Sequence, residues 1–349
     1  MANVFRLKVI SLSVLLLLLL LPGCARTVQS VGIQYLSVPS AKNTPEFVAQ
    51  IWYPTEHGTV KKYGESRIRP GYFAIPDGDY ANQAPASLIV LVHGSGGSAD
   101  SMAWLATEFA KRGSIVVAAD HPASSGGDPE RASLLNVWTQ PEDIHRLLDV
   151  VINSPWGPRI NQKNIAVVGF SLGGTSSILV AGGQLQLQRF PEFCNSNNDG
   201  ACTAFSHHFK NFDDDFYNRA NGKFLDSRIS AAVAIAPGFT ESLVIESVES
   251  LPTPLLLLSG GMDQQLPPST HVYPIRDYLP EHSRYVEIEN AQHFSFLPLC
   301  GDGAIEVLSE TKEEFVCQEF GSKTREEIHY ATFFEIANFL QSKGFDIDF

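Results

Sequence analysis

The chain has 349 residues, 44% of them hydrophobic and 18% charged, and 38 acidic side chains outnumber 25 basic ones for a formal net charge of −13. That composition fits a globular protein with a sizeable core and argues against a disordered chain. The acidic excess speaks against nucleic acid as a partner, because such binding rests on clustered Lys and Arg against phosphate, and against tight electrostatic attachment to anionic lipid.

Arg6 and Lys8 form a short basic head before Val9–Leu21, an apolar run too short for a comfortable membrane span. The run ends in Leu21-Pro22-Gly23-Cys24, which resembles the lipobox of bacterial lipoproteins. The resemblance implies a signal peptide over residues 1–23. Cys24 would then be lipidated and hold the mature chain to a membrane of the cell envelope, in the periplasm or at the outer membrane. The alternative is a plain secretory signal with an incidental cysteine; either way the mature chain leaves the cytoplasm. Beyond Cys24 stand Cys194, Cys202, Cys300 and Cys317, an even set suited to an oxidising compartment. Four cysteines allow three pairings. The local pairing, Cys194–Cys202 with Cys300–Cys317, closes two short loops and is the one expected. A cysteine zinc site is the alternative, and no CxxC pair supports it.

The segments Val31–Val38 and Phe47–Tyr53 alternate as two strands of an antiparallel hairpin at a sheet edge. Lys61 to Pro85, rich in Pro, Gly and charge, reads as loop. Apolar runs separated by helical patterns follow. Strands are expected at Ser87–Val92, Ser114–Ala119, Asn164–Gly169, Ile229–Ala236, Pro254–Ser259 and Tyr285–Glu289. Helices are expected at Ser101–Arg112, Glu142–Asn153, Thr175–Ala181 and Arg325–Lys343. Buried strands alternating with helices mean an α/β fold, a doubly wound and mostly parallel sheet whose reactive groups sit at the carboxyl ends of strands. One segment, Gly182 to Ser227, breaks the alternation and reads as an inserted lid or cap over residues of about 182–228. Its run Asp213-Asp214-Asp215 is read as a solvated acidic turn in preference to a calcium loop, and His207 and His208 as surface residues. No metal is expected.

Asn164–Gly169 leads into Gly169-Phe170-Ser171-Leu172-Gly173, a strand, a tight turn and a helix with serine at the apex. A glycine-rich turn alone would satisfy the pattern, so the other strand ends decide. Leu88–Val92 runs into His93-Gly94-Ser95-Gly96-Gly97, whose exposed N–H groups suit an oxyanion hole made by Ser95 and Leu172. Leu255–Leu258 ends in Ser259-Gly260-Gly261-Met262-Asp263, and Tyr285–Glu289 is followed by Ala291-Gln292-His293. The order Ser171, Asp263, His293 gives a nucleophile, an acid that orients the imidazole and a base that takes the serine proton. Glu241, after the preceding strand, is the rival acid. His121, beside Asp120 at another strand end, either lines the pocket or, on the preferred reading, packs structurally. Trp156, Phe239, Phe294 and Phe296 are candidate pocket walls and equally good core.

These motifs resemble the α/β-hydrolases, specifically the bacterial group labelled predicted dienelactone hydrolases, related to platelet-activating-factor acetylhydrolases. The resemblance runs from about Phe47 to the C-terminal helix. It is carried by Val92–Gly97, Ala119-Asp120-His121-Pro122, the serine turn, and His293-Phe294-Ser295-Phe296-Leu297 with Cys300 after it. It implies hydrolysis of carboxylic esters without metal or organic cofactor, on a small-molecule or lipid-like substrate. Two departures limit it. Ser171 stands where dienelactone hydrolases proper look like cysteine enzymes, and the acetylhydrolase acid position after the sixth strand is empty, so phospholipid specificity is not carried over. A serine peptidase or acyltransferase on the same triad remains open, as does a non-catalytic, hydrolase-like surface binding protein.

Overall fold

Strands buried on both faces need apolar side chains at every position, and the uninterrupted runs of this sequence become the centre of one large sheet. The computed structural model describes residues 30–41, 44–82, 84–126 and 135–348; the expected signal peptide (1–23) and Cys24 lie outside the described residues. Strands β1 (Ser30–Val38), β2 (Phe47–Thr55), β3 (Lys61–Tyr63), β4 (Tyr72–Pro76), β5 (Ala86–Val92), β6 (Ile115–Ala119), β7 (Ile160–Phe170), β8 (Ala231–Ile235), β9 (Leu255–Gly260) and β10 (Arg284–Ile288) follow in chain order. They form a 10-stranded sheet in the order β10-β9-β8-β7-β5-β6-β2-β1-β4-β3. From β6 to β10 the neighbours are parallel, and β2 joins β6 antiparallel.

Successive residues of a strand point to opposite faces, and the two cores divide accordingly. Leu88, Val90 and Val92 of β5 join one cluster with helices α2 (Thr139–Asn153) and α3 (Leu172–Val180). Ile89 and Leu91 join the other with helix α1 (Ala103–Lys111) and the C-terminal helix Arg325–Ser342. That last helix starts at a capping box, Thr324 accepting from the Glu327 N–H while Glu327 accepts from the Thr324 N–H.

The N-terminal hairpin forms with the expected pairing but does not make the sheet edge. Part of the expected loop Lys61–Pro85 is strand: β4 pairs parallel with β1, and β3 pairs antiparallel with β4. The short run Tyr72-Phe73-Ala74-Ile75 buries Ala74 and Ile75 against β1, a signal masked by flanking Gly71 and Pro76. The helix after Ser171 begins at Leu172, earlier than the small-residue run suggests.

The inserted segment holds three short helices, α4 (Arg189–Cys194), α5 (Gly200–Phe205) and α6 (Asp214–Ala220). Disulfides join Cys194 to Cys202 and Cys300 to Cys317, which disposes of the zinc alternative. Asp213 caps α6 by accepting from the Phe216 N–H at 2.8 Å, with Asp214 and Asp215 in the first turn, where negative charge meets the positive end of the helix dipole. His207 is exposed, but His208 is buried against its ring and is not a surface residue.

Candidate active site

The turn after β7 holds Ser171 at φ 54° and ψ −117°, a conformation costing a non-glycine residue about 1–3 kcal/mol. The flanking glycines make the geometry possible. A Cβ on Gly169 would lie 1.9 Å from the Gly173 carbonyl oxygen, and one on Gly173 would lie 2.2 Å from that of Val92. The Ser171 N–H donates to the Ile235 carbonyl of β8 at 2.9 Å, fixing the turn against the neighbouring strand.

The structure brings the three candidate residues together. His293 Nδ1 donates to Asp263 Oδ2 at 2.8 Å, which leaves Nε2 to accept the Ser171 hydroxyl at 3.1 Å. Asp263 Oδ1 accepts the N–H groups of Gln265 (2.9 Å) and Leu266 (2.8 Å), so the carboxylate is held from both sides. Asp263 and His293 are buried, while the Ser171 side chain reaches the surface of a cleft. The rival acid Glu241 faces another histidine, His271, at 3.5 Å.

Two cavities open on Ser171. The larger, about 420 Å³, is lined by Gly94–Ser98, Phe294, Leu297 and the Cys300–Cys317 bridge. The smaller, about 160 Å³, is walled by Leu172, Phe239, Leu266 and, from the inserted segment, Ala201 and Phe205. Ser95 and Leu172 both border the smaller cavity. Leu172 is the first residue of α3, so its N–H precedes any intrahelical acceptor, and the Ser95 N–H donates to no other group among the described residues. The two N–H groups are therefore free to receive an anionic oxygen.

The residues and their spacing match the family model described as the alpha/beta hydrolase family over residues 89–301, well over half of the chain. The chain belongs to the alpha/beta hydrolase family. It is 23% identical over 247 residues to the cutinase est1 of Thermobifida alba, and the match covers 70% of this chain but only 57% of that relative's length. Among solved structures it resembles a ferulic acid esterase of Streptomyces cinnamoneus, with TM-score 0.61, 18% identity and 91% of each chain covered. It also resembles a Klebsiella pneumoniae structure assigned as a dienelactone hydrolase, with TM-score 0.52, 13% identity, and 89% of this chain and 99% of that one covered. At such identities the structural likeness speaks for the fold alone.

In this alpha/beta hydrolase the glycine-rich turn after β5 is held by groups that no motif announces. His93 Nε2 accepts the His121 N–H at 3.2 Å, so Nδ1 carries the proton and donates to the Gly94 carbonyl at 2.7 Å. Burial, with His121 close by, pushes the His93 pKa down to about 3, and the ring stays neutral. Gln140, at the start of α2, donates to the His93 carbonyl (3.0 Å) and to Ser124 Oγ (2.9 Å), and accepts from Ser176 of α3 at 2.8 Å. One buried amide thus joins the oxyanion turn to the helix behind Ser171. Nothing in the local sequence around Gln140 marks it.

The candidate pocket residues divide. Phe294 and Phe239 line cavities, whereas Trp156 packs on Tyr53 and Phe296 is core. His121 is not a pocket residue. It is buried behind the oxyanion turn with Nδ1 3.2 Å from Asp143, because the strand end that carries it points beneath the turn.

Proposed function

We propose that this chain is a serine hydrolase of carboxylic esters. The observation that carries the reading is the continuous relay Ser171–His293–Asp263, three residues from three strand ends spaced at 3.1 and 2.8 Å beside two unspent N–H groups. His293 Nε2 takes the proton as Ser171 Oγ attacks the ester carbonyl, and the resulting oxyanion sits on the N–H groups of Ser95 and Leu172. Collapse expels the alcohol, which receives the proton from His293. Water then attacks the acyl-enzyme through the same base and frees the acid. The chain supplies the nucleophile, the base, the orienting acid and the N–H donors, and water supplies the second nucleophile.

The cutinase relatives, with a ferulic acid esterase among the structures of the same fold, support an ester substrate, which we read as lipid-like or polyester-like. Reaction of the mature domain with a fluorophosphonate and assay against p-nitrophenyl esters from acetate upward tests the reading. Absence of label on Ser171 would sink it. Label without ester turnover would point to peptidase or acyl-transfer chemistry.

The same reading places the enzyme on a membrane of the cell envelope through lipidated Cys24, supported by the apolar run that ends Leu21-Pro22-Gly23-Cys24. Among the described residues no helix is long and apolar enough to cross a membrane. Cys24→Ser should move the protein from the membrane to the soluble fraction, and retention of the variant would remove the anchor.

A further inference from the structure

The cleft at Ser171 shares part of its wall with a second cavity. Arg69 and Pro298 line both the cleft and a cavity of about 360 Å³ bounded by the stretch before β4, helix α1 and the C-terminal helix. Trp104 and His329 line that second cavity and stack face to face, 3.8 Å between centroids and 7° between planes. Their polar edges are occupied: Trp104 Nε1 donates to the Phe296 carbonyl at 2.9 Å and His329 Nε2 to that of Leu297 at 2.8 Å. Burial holds His329 down to about 4, so the ring is uncharged at neutral pH. The pair therefore offers a ligand flat, neutral surface. Tyr330, 70% exposed, lines the same cavity.

Arg69 stands where the two cavities meet. Its guanidinium has no ion pair or hydrogen bond among the described residues, and its Nε is buried without a partner. Arg325, the other arginine of the cleft, is bound to Glu319 and to the carbonyls of Pro298 and Val316. A buried donor left unsatisfied is costly, so a ligand that supplies an acceptor here binds more tightly than one that does not. A plain hydrocarbon chain supplies none. An anion suits the place poorly: Arg112, the other cation of the second cavity, is paired with Glu108, and Asp100 and Glu326 line the same wall in a chain of net charge −13.

The geometry points to a second subsite for the distal part of the substrate, and to oligomeric, uncharged esters as the substrate class. A further ester carbonyl beyond the scissile bond accepts from Arg69, and the chain continues over Trp104, His329 and Tyr330. This rests on the ester-hydrolase reading and extends it, since a single ester unit fills the cleft alone.

The test compares p-nitrophenyl butyrate with methyl-capped oligo(butylene adipate) of one, two and three repeats. For the wild-type protein kcat/KM should rise about tenfold from one repeat to three, the equivalent of one good added contact. Arg69→Gln and Tyr330→Ala should each cut the three-repeat to one-repeat ratio by about fivefold, mainly through KM. Fluorophosphonate labelling of Ser171 in each variant reports an intact fold. A flat wild-type series with active butyrate turnover overturns the subsite alone, as does a ratio unchanged in both variants. A half-ester of one repeat with a free carboxylate that outpaces the neutral three-repeat chain also overturns it, because Arg69 would then hold an anion. No butyrate turnover overturns both readings.

Discussion

His271 Nε2 lies 2.8 Å from Asp199 Oδ2, so a buried histidine following β9 holds the inserted segment through the residue that also caps α5. Glu241, after β8, faces the other ring nitrogen at 3.5 Å. The carboxylate that competes for the role of acid in the sequence thus serves this clasp, some distance along the chain from the relay.

The clasp predicts a pH dependence. Burial works against charging His271, but the hydrogen bond to Asp199 and the facing Glu241 outweigh it and push the pKa up to about 9 from an ordinary 6.5. A raised pKa means that the stabilisation is complete below about 6.5 and is lost as pH rises through about 9. The linked contribution is of order 3 kcal/mol. Thermal unfolding of wild type against His271→Gln should show the two midpoints converging over that window. Parallel curves from pH 6 to 10 would deny the clasp its charge.

Asp263→Asn should lower kcat by about 10³–10⁴, because the amide cannot hold the His293 tautomer that the relay needs. Glu241→Gln should cost less than about tenfold, acting only through the inserted segment. The check is kcat on one short ester for both variants. A larger loss in Glu241→Gln would transfer the acid role to Glu241.

Gln140→Leu removes the amide that ties the His93 carbonyl to Ser124 and Ser176. Stability should fall by about 1–3 kcal/mol from the buried groups left unpaired. The rate should fall with it, since removal of a single oxyanion donor costs other enzymes about 10²–10³ in kcat and a displaced turn loses part of that. Urea denaturation and kcat on the same preparation separate the two effects. An unchanged kcat with lowered stability would leave Gln140 a purely structural residue.

Reduction of Cys300–Cys317 frees a loop whose cysteines stand 17 positions apart and line the cleft, with Cys300 3.7 Å from Arg325. A loop of that size is worth about 3 kcal/mol in the unfolded chain, so Cys300→Ser with Cys317→Ser should lower the Tm by several degrees. KM for short esters should rise as the wall loosens. A Tm within one or two degrees of wild type would show that Arg325 and its bonds hold the loop unaided.

The strand runs and the strand-end motifs were legible in the sequence because parallel strands must be apolar throughout and an elbow tolerates only glycine two residues to either side of its serine. Ser171 and His293 could therefore be picked from strand ends and chain order, with Asp263 preferred to Glu241 as the acid, and the structure places Ser171, His293 and Asp263 within hydrogen-bond reach. The strand at Tyr72–Pro76 was not legible, because five residues between turn formers carry too short an alternation. Nor was the burial of His208, since a histidine has the same letter in a core as on a surface.

By itself the sequence determined the doubly wound sheet and the strand ends at which Ser171, Asp263 and His293 stand, all set by nearest neighbours along the chain or by a repeating period. Tertiary structure decided which carboxylate meets which histidine, that Gln140 braces the turn after β5 and that Arg69 faces two cavities unpaired. Those contacts join residues tens to hundreds of positions apart. Their energies depend on distance and burial, and neither is fixed until the sheet and its two layers of helices have closed around them.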